Sequence, residues 1–280
     1  MLLNLRKKGL VSKILFFIVN IIMLIIVLLP IVWMISFSLK PEHEQFDIPT
    51  TFFSKNYTIE NYKKALYPEF LRYILNSIII SVSTVIIALS ISIFSSYSFS
   101  RLKFPGRKKL IIIIILTQLF PLTSMVIPIY QVLKTLNLIN TYPGFVIAYL
   151  TFTIPVSVWM LRGFFNNIPP EIEEAAIVDG CSRMGAFFKV VLPISKPGIT
   201  ATTVWILIVT WQEFMFALTI STTRNMRTLP VGLFDFFGQF TISYGVLMAG
   251  SVIVSIPVVV VFIFLQRYFI AGLTAGAVKG

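Results

Sequence analysis

Few residues of this chain have the types and spacing that could do chemistry, and the densest group is Glu171–Pro193, EIEEAAIVDGCSRMGAFFKVVLP. Pro169 and Pro170 precede three carboxylates, Glu171, Glu173 and Glu174. A helix starting there holds negative charge in its first turn, where unsatisfied N–H groups favour it. Ile172, Ala175, Ala176 and Val178 give it a small apolar face, and Gly180 is placed to end it. Ser182 is placed to cap a second short helix, Arg183 to Val190, which Pro193 stops. Neither helix is long or apolar enough to cross a bilayer, so the pair is expected to lie along a membrane surface. The pair reads either as an ordinary interfacial amphipathic segment or as a docking surface. Glu174 can meet a basic or hydrogen-bonding partner, Ala175 and Ala176 allow close approach, and Gly180 sets a bend.

A second polar group is Trp211-Gln212-Glu213-Phe214. Glu213 is the sole carboxylate within any predicted span, and a charge there must face a cavity, a polar partner or the interface. At about 1.5 Å per residue from Pro197 it lies roughly 24 Å into its helix, towards the outer face. Two readings stay open. Glu213 can hydrogen-bond a polyol while Trp211 and Phe214 stack on a sugar ring, or it can sit near the outer headgroups, solvated or paired with a companion subunit. Gln118 lies near Pro121 and Pro128 in a helix expected to bend, which reads either as a kink that serves only packing or as part of a translocation path. Other chemistry is missing from the sequence. It contains no GxxxxGK[ST] loop for ATP, one cysteine (Cys181), one histidine (His43), and no acidic or histidine cluster at metal or hydrolase spacing. The chain does not read as an enzyme, and no bound cofactor is expected.

The elements that must position these groups are membrane helices. At 57% hydrophobic and 12% charged residues, a soluble globular class is excluded. Charge-free runs cover Ile14–Leu39, Tyr73–Ser100, Leu110–Leu133, Thr135–Leu161, Pro197–Gln212 and Phe236–Gln266. Most reach the roughly twenty residues a span needs; Pro197–Gln212 continues through Glu213 to Ile220. The expectation is an all-α polytopic protein with six transmembrane helices, a single membrane domain over residues 1–280. The first run is too long for a cleaved signal peptide. With the amino terminus inside, 15 of the 23 basic residues fall in inner segments, so both termini are placed in the cytoplasm. The net charge of +12 then reflects topology and contact with anionic membrane lipid rather than nucleic acid. The outer loop Lys40–Arg72 reads either as a solvated connector or as a surface on which an external partner rests, with Thr58 a candidate helix cap. The serines between Ser77 and Ser96 suit close helix packing.

The spacing also resembles a known pattern. Glu174-Ala175-Ala176, three residues, Gly180, nine residues, then Val190-x-Leu192-Pro193 is similar to the EAA loop of ABC importer permeases, with Val190 where the pattern has Ile. Asn76-Ser77, the serine-rich helix and the basic turn Arg101–Lys109 are similar to the start of the core of sugar-importer permeases. The end of the chain, from Gln266-Arg267-Tyr268-Phe269 through Gly272 to Gly280, resembles the terminus of the second permease subunit of maltose-type carbohydrate importers.

That resemblance implies an ABC type I importer permease fold, with residues 164–196 forming a cytoplasmic coupling loop against an ATPase. Glu174, Ala175, Ala176, Asp179, Gly180, Leu192 and Pro193 would carry coupling, and Gly272, Thr274, Gly276 and Lys279, in the tail 269–280, would lie at the ATPase interface. The implied partners are a second permease in a heterodimer, two cytoplasmic ATPase subunits that use ATP and Mg, an extracellular solute-binding protein and a carbohydrate. The implied location is a bacterial or archaeal plasma membrane. The alternatives are an ABC permease for a glycerol phosphate or an oligopeptide, and an ion-coupled secondary transporter. The last would show inverted repeats and several intramembrane acids.

Overall fold

The computed structural model describes residues 10–49, 51–237 and 243–275. The chain divides into two compact units, Met1–Tyr67 with Asp235–Ser255, and Pro68–Phe234 with Ile256–Gly280.

The first unit contains α1, Leu10–Ser38, whose apolar stretch has no part buried within the chain. After it the chain folds into a hydrogen-bonded loop ending in α2, Glu60–Ala65. Lys40 is buried: its ammonium donates to the Thr51 carbonyl and lies 5.5 Å from the Trp33 ring centroid. Asn61 donates to the Ser38 and Lys40 carbonyls at 2.9 and 2.8 Å, fixing α2 against the end of α1. Thr58 does not cap α2. Its hydroxyl accepts from the Glu60 N–H at 3.2 Å in a local turn, and Ile59 holds the cap position. Among the described residues, Lys40, Glu44 and Asn61 tie the loop to itself and to the end of α1. Phe46, Ile48, Phe53, Tyr57 and Ile59 stand exposed on the loop.

The second unit is built on α3, Pro68–Arg101, with Glu69 in its first turn and Arg101 in its last, as the helix dipole favours. Ser77, Ser81, Thr84, Ala88, Ser92 and Ser96 recur every three or four residues and are all buried. This stripe of small side chains lets α3 lie close along its neighbours, and Ser96 donates to the Val158 carbonyl at 3.0 Å. After α3 come α4 (Arg107–Leu116), α5 (Leu122–Thr135) and α6 (Tyr142–Asn166). Helix α3 packs most extensively against α6, and α6 starts at Thr141, whose hydroxyl accepts from the Gly144 N–H.

The third expected span is not straight. Helices α4 and α5 meet at 102° around Phe120-Pro121, where proline has no N–H to continue the ladder. The fifth is also interrupted. Past α7 (Pro170–Val178), α8 (Arg183–Ala186) and α9 (Leu192–Ile194), α10 (Lys196–Trp211) stops at Gln212, and α11 (Met215–Ile220) resumes after Phe214. Two further helices are α12, Leu229–Gly232, and α13, Tyr244–Ala275, the latter with Pro257 inside it. Among the described residues, four helices are long and apolar enough to cross a membrane, or up to six if each bent pair counts as one span.

Asn76 holds the end of the second unit opposite α7. Its amide donates to the Asn225 and Arg227 carbonyls at 2.9 and 2.8 Å and accepts from the Tyr142 hydroxyl at 2.8 Å. Ser77 accepts from the Leu229 N–H at 2.7 Å. One turn of α3 thus pins the loop before α12 and the first turn of α6.

Candidate functional site

Helix α7 ends as its sequence dictates. Gly180 has φ +91°, the Gly180 N–H donates to the Ile177 carbonyl and the Cys181 N–H to the Ala176 carbonyl, both at 3.0 Å. These are the two bonds of a Schellman motif, and the left-handed residue they need is the glycine. Ser182 then caps α8, accepting from the Gly185 N–H at 3.1 Å.

Pro193 does not stop the second helix. The helical run continues from Arg183 to Ile194, because Phe187–Val191 widens into a π turn just ahead of the proline. Such a turn relieves the contact between the proline ring and the preceding carbonyls. The 71° bend comes later, at Ser195 between α9 and α10.

The two faces of this loop differ. Phe187 and Val191 are fully buried and join Tyr97, Leu161, Phe165 and Ile168 in one apolar cluster, with Leu192 packed against it. Glu173 is buried as well. Its carboxylate accepts from the Tyr97 hydroxyl and from Arg101 Nε at 3.0 Å, while Arg101 Nη2 donates to the Ile168 carbonyl at 2.7 Å. Burying this pair is offset by charge-assisted bonds on both carboxylate oxygens. The opposite face is open. Glu174, Ala175, Asp179, Gly180 and Pro193 are exposed and Ala176 is half-buried. The structure therefore presents Glu174, Ala175, Asp179 and Gly180 together at the tip of a loop whose underside is anchored to α3 and α6. Glu173, Tyr97 and Arg101 were not singled out as an anchor by sequence reasoning. The available signal was a Tyr and an Arg one turn apart at the end of a charge-free span, facing a loop with a surplus of carboxylates.

Of the tail residues, Gly272 and Thr274 fall within α13, and Gly276 and Lys279 lie outside the described residues.

The Trp211–Phe214 group sits at the break between α10 and α11. Both Glu213 oxygens are engaged: Oε1 accepts from the Phe216 N–H and Oε2 from the Ala217 N–H, each at 2.9 Å, so the carboxylate caps α11. Phe214 stacks on Phe234 with centroids 4.9 Å apart. Trp211 is buried and lines an apolar cavity of about 170 Å³ with Ser81, Leu207 and Pro257. The two rings are thus committed inside the chain, and of the four residues only Gln212 is fully exposed. Gln118 is exposed on a separate 3-10 turn, its amide donating to the neighbouring Thr117 hydroxyl at 3.3 Å.

The chain is similar to known transport proteins over nearly its whole length. It is 36% identical over 278 residues to the trehalose/maltose transport system permease protein MalG of Thermococcus litoralis, covering 98% of this chain and 99% of that one. It is 34% identical over 265 residues to the sulfoquinovosyl glycerol transport system permease protein SmoH of Agrobacterium fabrum, covering 94% and 93%. The fold matches a chain in the crystal structure of a bacterial ABC transporter involved in the import of the acidic polysaccharide alginate. The TM-score there is 0.79 at 24% identity, covering 94% of this chain and 99% of that one. The signature described as binding-protein-dependent transport system inner membrane component matches residues 1–274. With a type I importer permease fold and an anchored loop of EAA spacing, the chain belongs to that family of ABC transport permeases.

Proposed function

We propose that this chain forms half of the translocation pathway of an ATP-driven carbohydrate importer and couples that pathway to its ATPase through the tip of α7. The observation that carries the reading is the two-faced build of the loop. A force applied at Glu174, Ala175, Asp179 and Gly180 meets a base fixed by Glu173, Arg101 and Tyr97 and by the cluster around Phe187. It is passed to α3 and α6 as a rigid displacement rather than absorbed by the loop. Packed side chains and hydrogen-bonded pairs of this kind transmit coupling between sites.

The proposed assembly is a heterodimer with a second permease, served by two ATPase subunits on the cytoplasmic side and a solute-binding protein outside. ATP and Mg belong to the ATPase, and this chain binds no cofactor of its own. Both termini are assigned to the cytoplasm on the distribution of basic residues, with Gly272, Thr274, Gly276 and Lys279 directed to the ATPase. The carbohydrate substrate class is supported by the similarity to permeases named for sugar uptake. The exposed side chains of the loop around Phe46 and Ile48 supply a surface for the binding protein.

The test is purification of the tagged chain from its native membrane in mild detergent, followed by mass spectrometry. Recovery of a second permease and an ATPase, and uptake of labelled oligosaccharide by the reconstituted complex only with ATP and binding protein, is the expected result. A chain that purifies alone and transports in liposomes without ATP contradicts it.

A further inference from the structure

At the end of the second unit that carries α7, the turn between α3 and α4 borders an open concavity of about 750 Å³, with Lys103, Lys108 and Lys109 exposed around it. Five cations line it: Lys103, Arg107, Lys108, Lys109 and Arg162. None of the described residues lining it is acidic, and no ion pair among the described residues engages any of the five. Gly106, at φ +82°, makes the tight turn that brings Arg107 back, and Arg107 Nη1 donates to the Leu102 carbonyl at 3.0 Å. Arg162 reaches the cavity from α6, its Nε shielded from solvent and without a partner. Five like charges in one concavity repel one another unless an anion joins them.

The surroundings define the anion. Phe104 and Ile111 belong to the cavity wall, and α4 continues from it as an apolar helix with Ile112, Ile113, Ile115 and Leu116 exposed. A cationic pocket that opens onto an uncovered apolar helix matches a molecule with a phosphate at one end and hydrocarbon at the other. Basic pockets beside membrane helices hold anionic headgroups in this way. We propose that this cavity binds the phosphodiester of an anionic phospholipid, with Lys103, Lys108 and Lys109 around the phosphate and the acyl chains along α4. Phosphate chemistry is shared with free phosphate in solution, and the exposed apolar face of α4 favours the lipid. The inference is independent of the coupling role assigned to α7.

The test uses the full complex in detergent, titrated with dioleoyl phosphatidylglycerol or dioleoyl phosphatidylcholine and read by native mass spectrometry. Wild type is expected to retain phosphatidylglycerol in preference to phosphatidylcholine. The double variant Lys108→Gln/Lys109→Gln is expected to lose about thirtyfold in that affinity and Lys103→Gln alone about fivefold, on the usual worth of a cation at an anionic surface. The control Lys55→Gln/Lys63→Gln, with the same change in net charge on exposed residues elsewhere, is expected to stay within about twofold of wild type. Equal retention of the two lipids, an equal loss in the control, or unchanged binding in both cavity variants overturns the proposal. So does displacement of phosphatidylglycerol by an equimolar amount of inorganic phosphate, which assigns the site to a soluble anion. Loss of the ATPase subunit from the cavity variants with lipid retention unchanged assigns it to protein docking and overturns the proposal too.

Discussion

Glu173 and Glu174 are sequence neighbours in opposite surroundings. The first is buried between Tyr97 and Arg101 and the second is exposed. Glu173→Ala leaves the Arg101 guanidinium without its counter-charge in a nearly closed site, and should cost about 3 kcal/mol. Thermal melting of the purified complex should show it as a lower midpoint, with Glu173→Gln falling in between because it keeps a partner for Tyr97. An unchanged midpoint for Glu173→Ala would remove the anchor. Glu44 carries a different prediction. The Ser54 hydroxyl at 2.6 Å, with the Lys55 N–H and the Asn56 amide, holds its carboxyl below the usual glutamate range. A lowered folded pKa contributes stability that is present above the ordinary value of ~4.3 and lost as pH falls through the lowered one. Protease resistance of the 44–56 loop should therefore decline with acidification in that window. Glu44→Gln should be less resistant at neutral pH and lose the pH dependence.

At the scale of elements, the bend between α7 and α8 depends on one backbone conformation. A Cβ on Gly180 would meet nothing within 4 Å, so Gly180→Ala tests backbone strain without steric crowding. The left-handed conformation should cost alanine about 1 kcal/mol, read as a lower thermal midpoint, and Gly180→Asn should cost less. An alanine variant as stable as wild type would mean that the Schellman turn does not fix the bend. Much of this element was legible beforehand: the prolines, the acidic first turn, Gly180 and the Ser182 cap each act within a few residues. Longer reach was not. Pro193 looked like a stop because the π turn that accommodates it depends on Phe187 and Val191 packing under α3 and α6. Gln212–Phe214 looked like the middle of one helix because Glu213 reads as a membrane charge until its cap on α11 is seen.

At the scale of the molecule, composition and charge-free runs were enough for an all-α membrane protein, since hydrocarbon thickness sets span length directly. They could not reveal the 102° break at Pro121, because a proline inside an apolar run is compatible with a kink or with an end, and Pro128, Pro155 and Pro257 stay within their helices. The proposed mechanism needs the α7 tip to move with its anchor while the rest of the chain stays folded. Glu174→Lys reverses charge at that tip without touching a buried contact. The most direct test is the ratio of oligosaccharide uptake to ATP hydrolysis in proteoliposomes containing the complete transporter, for wild type and Glu174→Lys. The expected result is an uptake-to-hydrolysis ratio at least about tenfold lower in the variant, equivalent to ~1.4 kcal/mol of lost coupling, with an unchanged thermal midpoint. A variant that transports at the wild-type ratio would contradict the assignment of α7 as the coupling element.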